Sequence, residues 1–124
     1  VSDVMRVGDA IPRVSLDTPF TALMREMSSK GLGASAVVDA DDRVLGIFTD
    51  GDLRRLVEKG TDLRALTARD VMHPQPRTLR RDALAVDAVE MMELNRITSV
   101  LIVDAAGQLC GALNTNDLMR AKVI

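Results

Sequence analysis

The chain has 124 residues, 47% of them hydrophobic and 27% charged, with a formal net charge of −2. This composition is ordinary for a globular protein, and the small negative charge provides no field that would attract a nucleic acid. Aromatic residues make up only 2% of the chain, so little is available for stacking on bases. No apolar run approaches the roughly 18 residues of a membrane span, and no secretory signal is visible. We therefore expect a cytoplasmic protein with neither a nucleic-acid nor a membrane partner.

The first predicted elements are a weak strand and a helix. Ala10–Val14 is weakly strand-like, and Pro12 restricts it to a sheet edge. A helix is predicted with Thr18 as N-cap and Pro19 as its first residue, and Gly31 ends it. Its apolar stripe, at helical spacing, consists of Phe20, Leu23, Met24 and Met27.

A hairpin and a second helix follow. Ala34–Val38 and Val44–Phe48 are short apolar runs separated by a polar turn, a pattern typical of two paired strands. The second strand passes directly into a helix predicted from about Asp52 to Lys59, and Gly60 is a suitable residue just beyond its end. This strand-to-helix corner carries polar side chains at the point where the helix begins.

The second half of the chain repeats this order of elements. Asp70-Val71-Met72 repeats Asp3-Val4-Met5 after 67 residues, whereas the corner Gly46–Arg54 recurs after 65 residues as Gly111–Met119. The first copy therefore carries two extra residues, near Gly8. The second copy is predicted to contain a strand at Arg77–Leu79, a helix capped by Asp82 with a stripe at Ala85, Ala88, Val89 and Met92, strands at Ser99–Val103 and Leu109–Leu113, and a helix at Asn116–Val123.

The repeat predicts an α/β fold made of two βαββα units. We place the first repeat at residues 1–60, a linker at 61–69 and the second repeat at 70–124. A unit of about 60 residues is too small to bury both of its faces alone, so the two copies are expected to pack as a pseudo-twofold pair.

The corner pattern identifies a resemblance to CBS domains, whose pairs are called Bateman modules. Their mark is Gly-apolar-apolar-(Ser/Thr)-x-x-Asp-apolar, which the first copy matches in full from Gly46 to Leu53. The second copy departs once, with Asn114 in place of the hydroxyl residue. The amino-acid sequence around both corners also resembles the C-terminal half of arabinose-5-phosphate isomerases. In that family, a CBS pair follows a catalytic sugar-isomerase (SIS) domain. That family serves lipopolysaccharide biosynthesis, and the resemblance implies a fragment that is not itself an enzyme.

In CBS pairs, ligands sit in clefts between the copies, and the resemblance implies candidate residues at both corners. Asp52 could accept hydrogen bonds from ribose hydroxyls, while Thr49 and the free N–H groups of the helix start could hold a phosphate. The other candidates are the short residues Gly33, Ala34 and Ser35 at the strand entry, Arg54 or Arg55 as a phosphate partner, and Asn114, Asp117, Thr98 and Ser99 in the second copy. For both aspartates, helix capping is the alternative.

Other polar residues give weaker signals. Arg77, Arg80 and Arg81 are candidates for a cleft mouth or for a solvated rim. His73 is the only histidine, and without other ligands at suitable spacing or a nearby nucleophile it predicts neither a metal site nor a catalytic triad.

The resulting hypothesis is a regulatory module that binds a nucleotide or sugar-nucleotide and adjusts an attached isomerase domain. The alternative is a structural assembly module with empty clefts. No cofactor is expected to be required. The resemblance implies AMP, ADP, ATP, S-adenosylmethionine or CMP-linked 3-deoxy-manno-octulosonate as possible ligands, and a homodimer as the expected assembly.

Overall fold

The computed structural model describes all 124 residues, which form seven strands and five helices. The strands are β1 (Arg13–Ser15), β2 (Ala34–Val38), β3 (Val44–Thr49), β4 (His73–Pro74), β5 (Thr78–Arg80), β6 (Ser99–Val103) and β7 (Leu109–Asn114). The helices are α1 (Phe20–Lys30), α2 (Asp50–Glu58), α3 (Ala68–Val71), α4 (Ala85–Asn95) and α5 (Thr115–Arg120). None of these helices is long and apolar enough to cross a membrane.

The strands form two sheets with the same plan. The first has the order β1-β2-β3-β4 and the second the order β5-β6-β7. In each, the first two strands are parallel and are joined through a helix, and the next strand returns antiparallel. The predicted βαββα repeat is therefore confirmed. A 3-10 turn at Gly8–Ala10 occupies the place where the first copy carries its extra residues.

Packing between the two sheets explains why the central strands are buried along their whole length. All residues of β2 and β6 are buried. Alternate residues face either a helix of their own repeat or a central cluster shared by both repeats. That shared cluster consists of Ile11, Leu32, Ala34, Ala36, Val38, Leu101, Leu109 and Ala112. Each repeat thus covers a face that the other could not cover alone, as expected for units of this size.

The opening segments of the two repeats are exchanged in space. Val4 and Met5, near the N-terminus, pack against the helix-side core of the second repeat. Val71 and Met72 pack against the helix-side core of the first repeat, and the adjoining β4 pairs with β3. Because the segments cross over, the boundaries 1–60, 61–69 and 70–124 remain a prediction from the sequence repeat.

Three predicted helix starts need correction. The N-cap of α1 is Pro19, while the hydroxyl of Thr18, the predicted cap, accepts a hydrogen bond from the N–H of Ser15 at 3.1 Å. Helix α4 begins at Ala85, so the prediction of Asp82 as its cap is wrong. At the start of α4, the free N–H of the N-cap residue Leu84 instead donates to the carboxylate of Asp87, at 2.8 Å. Helix α2 begins two residues before the predicted Asp52.

Candidate functional site

Both strand-to-helix corners close with a reciprocal pair of hydrogen bonds. In the first corner, Thr49 Oγ1 accepts from the N–H of Asp52 at 3.2 Å, and Asp52 Oδ2 accepts from the N–H of Thr49 at 2.9 Å. In the second corner, Asn114 and Asp117 make the same two bonds at 2.9 and 3.0 Å. Such a box satisfies two backbone donors that a helix start leaves free. The capping alternative for both aspartates is therefore confirmed, and any ligand would have to use their remaining oxygen.

The first cleft lies where the start of α2 faces the end of α4 and the entry to β6. Its volume of about 490 Å³ falls within the range of small-molecule sites, about 300–1,000 Å³. Its lining residues are mostly polar: Gly33, Ile47, Thr49, Asp50, Gly51, Asp52, Arg55, His73, Pro76, Arg77, Asn95, Arg96, Ile97, Thr98 and Ser99.

Asp52 is the buried carboxylate of the first cleft. Its side chain is 5% exposed, and Oδ1 lies 2.5 Å from Arg55 Nη2 and 2.6 Å from His73 Nε2. Burial acts to raise the pKa of Asp52, but the hydrogen bonds from the Thr49 backbone, Arg55 and His73 outweigh it and lower the pKa below its usual value. Arg55 and His73 are themselves more than 60% exposed, so solvent is available to them if a ligand takes their place.

The absence of a side chain at Gly46 lets the segment that carries His73 approach so closely. A Cβ at Gly46 would lie 2.8 Å from the carbonyl oxygen of His73 and 2.5 Å from Met72 Sδ. Gly46 also pairs with Pro74 in the sheet. The glycine of the corner pattern therefore positions the histidine beside Asp52.

The second cleft is related to the first by the pseudo-twofold repeat. It has a volume of about 640 Å³. Its lining residues are Met24, Met27, Ser28, Gly31, Leu32, Gly33, Asp50, Leu53, Thr98, Asn114, Thr115 and Asn116. Both ends of the Asn114 side chain make a hydrogen bond, because Nδ2 donates to the carbonyl oxygen of Leu32 at 3.1 Å while Oδ1 caps α5.

Asp117, the counterpart of Asp52, is held by an arginine. Arg6 donates to both of its oxygens, from Nε at 3.0 Å and from Nη2 at 3.2 Å. The remaining terminal nitrogen of Arg6 donates to the carbonyl oxygen of Lys30 at 2.7 Å. Arg120 adds a contact at 2.9 Å from the solvent side. Asp117 is not among the residues that line the second cleft.

The two clefts also differ in charge. Three arginines, Arg55, Arg77 and Arg96, line the first cleft together with His73. No lysine, arginine or histidine lines the second cleft, where Asp50 is the one ionisable residue. Asp50 is shared, because it lies at the junction of the two clefts with Gly33 and Thr98. Only the first cleft therefore combines a buried carboxylate with several cations.

The structure brings some of the predicted site residues together and separates others. Thr49, Asp52, Gly33, Thr98 and Ser99 line the first cleft, and Gly33, Thr98 and Asn114 line the second. Ala34, Ser35, Arg54 and Asp117 line neither.

The reasons differ from residue to residue. Ala34 and Ser35 are fully buried in β2, where a ligand ring does not reach them. Arg54 is exposed, whereas its neighbour Arg55, the other predicted phosphate partner, lies in the first cleft. Of the three rim arginines, only Arg77 reaches a cleft.

Sequence reasoning missed Arg6 and Arg96, and it gave His73 no role. A signal for two of these residues was present. Arg6 and His73 each follow directly after a Val-Met pair in the repeated opening segment. Alignment of the copies thus places them at equivalent positions, although it does not show which corner either one reaches.

The sequence matches the CBS domain family over residues 1–59 and 68–124, and the chain belongs to this family as a tandem pair. Among characterised proteins it is similar to arabinose 5-phosphate isomerase KdsD of Pseudomonas aeruginosa, with 45% identity over the whole chain. Its identity to KdsD of Escherichia coli strain K12 is 40%. The chain spans 38% of the length of these relatives.

Solved structures of CBS proteins have the same fold. CBSX2 in complex with AMP superimposes with a TM-score of 0.84 at 23% identity, covering 98% of this chain and 94% of the other. The CBS domain pair of MJ0100, in complex with 5′-methylthioadenosine and S-adenosylmethionine, gives 0.86 at 16% identity, with 98% of both chains covered. PAE2072 from Pyrobaculum aerophilum, complexed with AMP, gives 0.83 at 22% identity, covering 94% of this chain and 88% of the other.

Proposed function

We propose that this chain is a non-catalytic regulatory module that binds an adenosine-type nucleotide or a sugar-nucleotide in the first cleft. In doing so it would modulate an attached arabinose-5-phosphate isomerase domain. The observation that carries the proposal is Asp52, a buried carboxylate that opens into a cleft also lined by three arginines. A carboxylate acceptor beside several cations matches a ribose with a phosphate attached to it.

The chemistry of binding follows from the contacts of Asp52. A ribose presents two adjacent hydroxyl donors, and Asp52 Oδ1 can accept from them once Arg55 and His73 move toward solvent. Those two side chains are exposed, so their displacement leaves no buried unpaired group, the situation that makes such exchanges costly. Gly51, in the first turn of α2, lines the same cleft, where a helix start favours a phosphate. The N–H groups of its neighbours Asp50 and Asp52 are already bonded, to Gly33 O and to Thr49 Oγ1.

The charge of the first cleft favours one class of ligand over another. Arg55, Arg77 and Arg96 would each attract a phosphate, and an arginine can bind it through two parallel hydrogen bonds. A sulfonium such as that of S-adenosylmethionine gains nothing from these cations. AMP, which CBSX2 and PAE2072 bind, is therefore the first ligand to test. CMP-linked 3-deoxy-manno-octulosonate enters as a feedback candidate through the resemblance to KdsD.

Regulation requires that the ligand distinguish two states of the module. The first cleft is lined by residues of both repeats, so a ligand that binds one relative arrangement of the repeats more tightly shifts the population toward it. An attached domain whose activity differs between the two arrangements then changes its activity as the population shifts. The KdsD relatives are longer than this chain, and an N-terminal SIS domain is the partner that we propose.

The first test is a thermal-shift screen of the chain with AMP, ADP, ATP, CMP, S-adenosylmethionine and the CMP-sugar. A ligand at 100 times its dissociation constant adds about 2.7 kcal/mol, which raises the midpoint by several degrees in a domain of this size. We expect AMP or another phosphate-bearing ligand to give this shift. The shift should disappear in Asp52→Ala and persist in the matched variant Asp117→Ala.

Regulation is tested in a full-length isomerase that carries this module. The ligand that shifts the midpoint should change kcat/KM by at least about twofold, about 0.4 kcal/mol in activation free energy, and Asp52→Ala should abolish the change. If no ligand shifts the midpoint of the isolated chain, the proposed sensor role is wrong.

Assembly is the second candidate function, favoured by apolar side chains that the fold leaves in solvent. Val86 on α4 is 50% exposed, Val57 on α2 62% and Leu94, near the end of α4, 82%. We propose that the chain forms a homodimer, as its resemblance to paired CBS modules implies. Light scattering of the wild-type chain and of Leu94→Glu tests this, and a wild-type monomer at high concentration would exclude it.

A further inference from the structure

We propose that Arg6 excludes nucleosides from the second cleft, so that the chain binds one nucleotide, in the first cleft. The inference rests on the proposed function and adds to it the residue that makes two pseudo-equivalent sites unequal. Arg6 would not itself contact a ligand in the first cleft. It acts by holding Asp117, and it belongs to the opening segment of the first repeat.

Arg6 and His73 occupy equivalent positions in the exchanged opening segments. Each reaches the carboxylate of the corner on which its segment packs, Arg6 at Asp117 and His73 at Asp52. The contacts differ in number. The imidazole makes one hydrogen bond to one oxygen of Asp52, whereas the guanidinium engages both oxygens of Asp117.

Arg6 is also held more firmly than His73. The backbones of both residues pair with a strand, Arg6 with Ala112 of β7 and His73 with Ile47 of β3, so the difference lies in the side chains. The third nitrogen of the Arg6 guanidinium donates to Lys30 O at the end of α1. The Arg6 side chain is 18% exposed, against 63% for His73. A ribose that displaced Arg6 would have to break three side-chain hydrogen bonds and leave a half-buried guanidinium without partners, which is costly.

The second cleft therefore lacks what a nucleoside needs from this corner. Asp117 does not line it, and the Asn114 amide is committed to Leu32 and to the helix cap. No cation lines it to receive a phosphate. The first cleft has the acceptor and the cations, and the two side chains that cover its acceptor, Arg55 and His73, are more than 60% exposed.

The test is the number of ligands bound per chain by isothermal titration, with AMP and, in parallel, adenosine. Adenosine carries the ribose without the phosphate, so the lack of cations in the second cleft does not count against it. We expect one ligand per chain for the wild type. In Arg6→His, which copies the first cleft, we expect two adenosines per chain. Arg120→Ala removes the exposed partner of Asp117 and is the matched control, expected to remain at one.

The outcomes separate this inference from the proposed function. Two ligands per wild-type chain, or one adenosine per chain in a folded Arg6→His, would overturn the role of Arg6 and leave a nucleotide-binding module intact. No binding of either ligand by the wild type would instead remove this inference and the adenosine form of the proposed function, and would leave only its sugar-nucleotide form for the thermal-shift screen to decide.

A converse variant keeps the test valid if Arg6→His fails to fold. His73→Arg places a guanidinium opposite Asp52 at an exposed position, where the change in side chain leaves the core untouched. We expect it to weaken adenosine binding to the first cleft at least about tenfold. Unchanged adenosine affinity in this variant would show that an arginine at this position does not exclude a nucleoside.

Discussion

The two strand-to-helix corners have the same backbone structure but differ in the side chains that contact it. In both, a capping box joins the last strand residue to an aspartate three positions later, and an arginine three residues further on contacts that aspartate. The corners differ at the residue that arrives from the opening segment, His73 in one and Arg6 in the other, and at the cap, Thr49 or Asn114. A few side chains on a duplicated frame thus leave one carboxylate in a cleft lined by cations and hold the other through an arginine that contacts both of its oxygens.

The equivalent leucines of the two corners should respond most differently to truncation. Leu118 is completely buried in the core of the second repeat, whereas Leu53 is partly exposed and lines the second cleft. Leu118→Ala should lower the free energy of unfolding by about 2–5 kcal/mol, and Leu53→Ala by clearly less. Urea denaturation measures both, and equal losses would contradict the packing described for the two corners.

The equivalent glycines should also differ, because their neighbours differ in flexibility. A Cβ at Gly46 would meet the backbone oxygen of His73, which cannot move without shifting β4. The three atoms nearest to a Cβ at Gly111 all belong to the side chain of Met5, which is adaptable. Gly46→Ala should cost about 1–3 kcal/mol and Gly111→Ala less, as measured by thermal unfolding. A larger loss of stability in Gly111→Ala than in Gly46→Ala would show that the segment that carries Met5 yields less than the segment that carries His73.

The two caps are expected to differ by a smaller amount. Thr49→Ala removes one cap, worth about 1 kcal/mol. Asn114→Ala removes a cap and also the buried hydrogen bond to Leu32, which adds about 1 kcal/mol. Asn114→Thr, which restores the hydroxyl of the family pattern, should recover the cap alone. Chemical denaturation of the three variants would refute this if Thr49→Ala proved the most destabilised.

The pH dependence of stability should show the smallest effect, through Asp52. Its folded-state pKa lies below the usual value, so its ionised form stabilises the fold above the unfolded pKa, about 3.9. That contribution is lost as the pH falls through the lowered folded-state pKa. The destabilisation caused by Asp52→Asn should therefore be full at pH 7 and shrink below about pH 4. A difference in the free energy of unfolding between the wild type and Asp52→Asn that stays constant from pH 7 to below about pH 4 would contradict the assigned contacts.

The sequence was sufficient for the fold because the repeat specified it twice. The corners at Gly46 and Gly111 locate a strand end and a helix start in each copy, and the apolar stripes place both helices on one face. The helix caps were harder to predict. Asp82 and Thr18 are good capping residues near a helix start, yet α4 begins after a leucine, with Asp87 reaching back from its first turn.

The site could be predicted only where its residues are neighbours in the chain. Thr49 and Asp52 belong to one local pattern and were found together. His73 and Arg6 reach the corners through segments that cross between the repeats, and no local pattern records that exchange. Ala34 and Ser35 were expected at the cleft because they are short, but β2 is covered on both faces and buries them.

The most direct test of the central claim is a crystal structure of this chain with AMP. Our account predicts density in the first cleft, with the ribose hydroxyls within about 3 Å of Asp52, His73 displaced, the phosphate near Arg55, Arg77 or Arg96, and the contact between Arg6 and Asp117 unchanged. AMP bound in the second cleft against Asp117, with the first cleft empty, would contradict it.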